Sequence, residues 1–112
     1  MHNKLVDWWQ RTTQRGKKYS YQVVEDIPKR PEKNVVYLVS HLGYCWQVVM
    51  MCPCGCKKLL YMNAMPEYHP CWKYTIDKNE RISLSPSIHR MVGCKSHFFV
   101  RNGRIDWCRP GK

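Results

Sequence analysis

Cys52-Pro53-Cys54-Gly55-Cys56 places three thiols within five residues. Pro53 fixes φ and removes a donor, whereas Gly55 permits φ > 0, so the backbone can turn tightly enough to aim several sulfurs inward. A second group follows about forty residues on: Cys94, His97 in Cys94-Lys95-Ser96-His97, and Cys108. Thiolates this crowded repel one another unless they are oxidised or neutralised by a cation, and Zn²⁺ takes four Cys or His ligands tetrahedrally. The two groups read as halves of one metal site. Cys52, Cys54, Cys56, Cys94, His97 and Cys108 are two ligands more than such an ion accepts. Two cysteines of the first group with Cys94 and His97 would close a structural site. Three protein ligands with a water would leave a catalytic position open. A free cysteine is often a small buried hydrophobe, and Cys45 or Cys71 is expected to be one.

Serine–histidine chemistry is the second possibility. Ser85 and Ser87 flank Pro86, and Ser96 precedes His97. A nucleophilic serine needs a base within hydrogen-bond reach and donors for the developing oxyanion, such as the N–H groups of a helix start. Ser87 stands where a helix start would supply them. The commoner role for Ser85 and Ser87 is to cap that helix. No G-x-S-x-G elbow is present. Glu67 and Asp106 are the carboxylates on hand as a general base for metal-assisted hydrolysis. The H-E-x-x-H pattern of zinc proteases and the deaminase signature are both missing.

The elements that must position these groups are mostly strands. Tyr19–Ile27, Val35–Ser40, Tyr44–Met51, Lys57–Met62, Trp72–Ile76, Arg81–Leu84, Phe98–Arg101 and Arg104–Trp107 are β-branched, aromatic or alternating. The cysteine group sits at the tip of one hairpin. Asn102-Gly103 marks another, because a type I′ turn needs φ > 0 at both central residues. Two short helices are expected, one over Lys4–Gln14 with Leu5, Trp8 and Trp9 on one side, and one from Pro86 to about Val92 with Ser85 as N-cap. The predicted fold is mainly β (α+β), a small antiparallel hairpin domain with one or two short helices, stapled by a zinc site. Residues 1–18 read as a basic amphipathic entry segment and residues 19–112 as the zinc-binding β-rich domain.

With 112 residues the chain has room for one core, and a core this small often gains stability from a metal or disulfides. Seven cysteines cannot all pair. No signal peptide is visible, and no apolar stretch approaches the roughly 20 residues of a membrane span. The expected location is the cytoplasm, where clustered cysteines favour metal over disulfides. Nineteen Lys and Arg against eight Asp and Glu give a formal charge of +11, which attracts nucleic acid, an anionic surface or an acidic protein. No recognition-helix, RNP or C₂H₂ pattern accompanies the charge.

Val23-Val24-Glu25-Asp26-Ile27-Pro28, Val36-Tyr37-Leu38-Val39, the Cys52–Cys56 group, Leu84-Ser85-Pro86-Ser87-Ile88, Gly93-Cys94-Lys95-Ser96-His97-Phe98-Phe99 and Gly103-Arg104-Ile105-Asp106-Trp107-Cys108 together resemble a small bacterial and phage family. Its members often lie in operons with ubiquitin-like proteins and their activating and conjugating enzymes. The resemblance implies a zinc-containing peptidase acting on the C-terminal tail of a ubiquitin-like protein. Two positions depart from the pattern: Lys57 stands where many members carry glycine, and Ser85 where members vary. Serine chemistry therefore carries over better to Ser87, with His97 and Glu67 as the other catalytic candidates. The competing reading is a non-enzymatic zinc module that binds nucleic acid or an acidic partner.

Overall fold

The computed structural model describes residues 18–91 and 93–108. Among the described residues, eight strands form two four-stranded sheets. The first contains β1 (Ser20–Val24), β2 (Val35–His41), β3 (Tyr44–Met51) and β4 (Leu59–Asn63), in that order. The second contains β5 (Lys73–Ile76), β6 (Ile82–His89), β7 (His97–Arg101) and β8 (Arg104–Trp107), also in chain order. Every pairing is antiparallel except that of β1 with β2, which is parallel.

Alternation explains how the sheets share a core. Val36, Leu38, Val48 and Met50 from the first sheet pack with Ile82, Leu84, Phe98 and Val100 from the second. Each side chain buried so completely contributes roughly 1.5–3 kcal/mol relative to exposure. The opposite face of β2 is covered as well, since Val35, Tyr37 and Val39 form a second cluster with Val49. That is why β2 reads as an unbroken apolar run. A parallel partner requires a crossover. The segment joining β1 to β2 supplies it: Ile27 packs on this second cluster, and Glu32 N donates to the Tyr37 hydroxyl at 2.8 Å.

Turn chemistry follows the residue types. Asn102 and Gly103 both have positive φ, 52° and 74°, in the two-residue turn between β7 and β8. The loop Cys52–Lys58 closes the β3–β4 hairpin through Cys52 N to Lys58 O at 2.8 Å, with Gly55 at φ 95°.

No helix occurs among the described residues. The one expected over Lys4–Gln14, and most of the basic segment 1–18, lie outside them. The one expected from Pro86 is corrected, because β6 continues to His89. The register of β6 on β7 shifts between Leu84, opposite Val100, and Ile88, opposite Phe98, so Ser85, Pro86 and Ser87 form a bulge. Proline is tolerated in a sheet at such a place, where the ladder does not call on its missing N–H. A proline preceded by serine suits a helix start and a bulge equally, and pairing on both sides of β6 decides for the bulge. No helix of the described residues is long and apolar enough to cross a membrane.

Candidate active site

Two groups of reactive side chains meet at the end of the second sheet where β6 turns into β7. The first is a set of four thiols. The β3–β4 loop of the first sheet supplies Cys52, Cys54 and Cys56, the β6–β7 connection of the second supplies Cys94, and all four sulfurs lie within 4.8 Å of one another. Cys52 Sγ is 3.4 Å from Cys54 Sγ and 3.5 Å from Cys94 Sγ, and Cys56 Sγ is 4.0 Å from Cys94 Sγ. Four sulfurs at about 2.3 Å from a tetrahedral zinc stand about 3.8 Å apart. The set therefore fits one tetrahedral ion and spans the two sheets.

The surroundings of the thiols are polar and cationic. Arg90 Nη1 donates to Cys94 Sγ at 3.2 Å and to Cys56 Sγ at 3.4 Å, bringing a positive charge against a site that accumulates negative charge. Gly93 makes room for this, since a Cβ there would stand 3.0 Å from Arg90 Nη2, and its φ of +68° is one that glycine adopts freely. The buried Ser96 hydroxyl lies 3.0 Å from Cys94 Sγ and 3.5 Å from Cys52 Sγ. The Ser96 side chain is the chief cause that lowers the Cys94 thiol to about 6. Burial pushes Cys52 up to about 12, and the Lys58 backbone N–H lowers Cys56.

The second group lies on the outer face of the second sheet. Ser87 Oγ is 3.0 Å from His97 Nε2. Alternation puts Ser87 on the face of His89, the direct partner of His97, so Ser87 lies diagonal to His97 across β6 and β7. The Ser87 backbone is held in turn: Trp72 Nε1, just before β5, donates to the Ser87 carbonyl at 3.3 Å. With its proton on Nδ1, the imidazole accepts the serine proton at Nε2, which is the arrangement that activates a nucleophile. His89 stands opposite His97 in the ladder and stacks on it, with ring centroids 4.2 Å apart and planes 14° from parallel.

Other sequence candidates lie apart from these groups. His97 is engaged by Ser87 and stands outside the four-sulfur set, as does Cys108, whose backbone N–H donates to the His97 carbonyl at 2.9 Å. Glu67 is exposed in the connection between β4 and β5 and sits near Tyr44, whose hydroxyl pKa is raised first by desolvation and then by the Glu67 charge. Asp106 turns its carboxylate to Arg101 at 2.6 Å. Cys45 packs half-buried against the main core, and Cys71 is half-buried. The oxyanion donors expected from a helix start at Ser87 are absent, because that segment is a strand.

His89, Arg90 and Trp72 were not legible as site residues. His89 follows Ser87 at the i, i+2 spacing of a strand face, a signal that a helical reading of Pro86–Val92 conceals. Arg90 and Trp72 act across the fold, on partners 34 and 15 residues distant in sequence respectively.

The chain belongs to the bacterial ubiquitination-like system serine protease family (BubE), whose family model matches residues 23–108. No curated protein and no solved structure matches it significantly.

Proposed function

We propose that this protein is a serine peptidase with Ser87 as nucleophile and His97 as general base, cleaving at the C-terminal tail of a bacterial ubiquitin-like protein or its conjugates. The observation that carries the reading is the 3.0 Å contact between Ser87 Oγ and His97 Nε2, in a family described as serine proteases. Ser87 Oγ attacks the scissile carbonyl carbon while its proton passes to His97 Nε2. The tetrahedral intermediate collapses as that proton moves to the leaving amine, and the C–N bond breaks. A water, deprotonated by His97 in turn, hydrolyses the acyl-serine and regenerates the hydroxyl. Glu67 has no part in this scheme.

We assign Cys52, Cys54, Cys56 and Cys94 to one Zn²⁺. All-thiolate tetrahedral donation suits zinc. With four sulfurs around it such an ion is structural, holding the β6–β7 turn that leads into His97. The charge of +11 suits an acidic protein partner.

The test is cleavage of a ubiquitin-like precursor extended beyond its C-terminus, and of an amide conjugate, read by intact mass. Wild type is expected to release the extension. Ser87→Ala and His97→Ala are expected to fall by about 10³-fold or more while binding one metal each. Undiminished cleavage by Ser87→Ala would overturn the assignment. Inert wild type that binds nucleic acid with a steep salt dependence would return the competing module.

A further inference from the structure

We propose that His89 is the positioning residue of His97, doing by ring stacking what a hydrogen-bonded carboxylate does in a three-membered site. The inference rests on the serine-peptidase reading above. A histidine base must present Nε2 to the serine, and its ring is free to rotate about its two side-chain torsions unless something holds it. Among the described residues no carboxylate hydrogen-bonds the His97 ring. Asp106 is turned to Arg101, and Glu67 lies by Tyr44.

His89 covers one face of the ring instead. The two residues are direct partners in the β6–β7 ladder, and their rings lie nearly parallel at 4.2 Å between centroids. His89 and Ser87 extend from the same face of β6, separated by Ile88, which is anchored in the core. The strand therefore presents the nucleophile and the plate that orients its base from one rigid element. The pair is anchored at its far end by Arg90 N donating to Ser96 O at 2.8 Å, which closes the loop joining the two strands.

A flat ring is what this role requires. Phenylalanine supplies it and alanine does not. In full-length, metal-loaded protein, His89→Ala is expected to lower kcat for the precursor by about 10- to 100-fold with KM within about twofold, the size of loss that a misplaced reacting group brings. His89→Phe is expected to restore most of it, and both variants to bind one metal per chain. Unchanged kcat in His89→Ala, or His89→Phe as impaired as His89→Ala, would overturn the proposal.

Proton NMR of the His97 ring gives a second readout that does not depend on turnover. Stacking shifts its ring protons upfield, and His89→Ala is expected to remove the shift while His89→Phe keeps it. Should wild type prove inactive, or Ser87→Ala fully active, the peptidase reading falls. The NMR comparison then decides the positioning role alone: an upfield shift lost in His89→Ala upholds it, and ring resonances unmoved by that substitution overturn it.

Discussion

Ser96 and His97 are consecutive, yet one contacts the thiol cluster and the other Ser87. Ser96 Oγ is 3.0 Å from Cys94 Sγ, and His97 Nε2 is 3.0 Å from Ser87 Oγ. Extended backbone sends neighbouring side chains to opposite faces, so one peptide unit couples the thiol clasp, in which Cys52 alone is buried, to the outer face. Whatever fixes Cys94 also fixes where β7 begins.

Metal removal is therefore expected to abolish cleavage although the ion touches no substrate. The clasp joins a loop of the first sheet to a turn of the second, and metal binding to such a site is folding free energy. Chelation, or Cys94→Ser, is expected to lower Tm by roughly 10 °C or more. Calorimetry with elemental analysis checks this, and zinc added back to the chelated wild type is expected to restore both Tm and activity. A chelated protein with unchanged Tm would disprove the clasp.

Ser96→Ala removes the hydroxyl that supports Cys94 and Cys52. Loss of such a supporting group typically costs about 10- to 100-fold in metal affinity. Competition with a chromophoric chelator measures it. At saturating zinc the variant is expected to regain most of its activity, because the Ser87–His97 pair is untouched.

Trp72→Phe keeps an aromatic ring against the core but removes the N–H donated to the Ser87 carbonyl. A hydrogen bond of this kind contributes about 1 kcal/mol, so kcat is expected to fall about fivefold. KM should stay near wild type and Tm should fall by no more than about 4–8 °C. A large drop in Tm would instead mark Trp72 as a packing residue alone.

Acid stability is expected to depend on the β5–β6 turn. Asp77 accepts from Asn79 N and Arg81 N and pairs with Arg81 Nε at 2.8 Å. The Arg81 backbone N–H is the leading cause that lowers its pKa. A carboxylate with a depressed folded pKa stabilises above its unfolded value, near about 4, and loses that contribution as pH falls through the folded pKa. The Tm advantage of wild type over Asp77→Asn should be constant near neutrality and vanish in strong acid. A pH-independent difference would show that ionisation of Asp77 is not the cause.

Much of this protein is decided locally and is legible in its residues. Alternation and β-branching mark the strands, Asn102-Gly103 marks its hairpin, and Cys52-Pro53-Cys54-Gly55-Cys56 on a hairpin tip announces a thiol site because crowded sulfurs demand a cation. Tertiary structure decided the rest. Six candidate ligands became one set of four only when two sheets packed and brought Cys94 to the β3–β4 loop. Pro86 looked like a helix start because its backbone preference fits both outcomes, and pairing with β5 and β7 made the segment a bulged strand. That same pairing took His97 out of the metal set and put it against Ser87, with His89 behind it. Register between strands depends on which faces become buried together, and no window of the sequence contains that information.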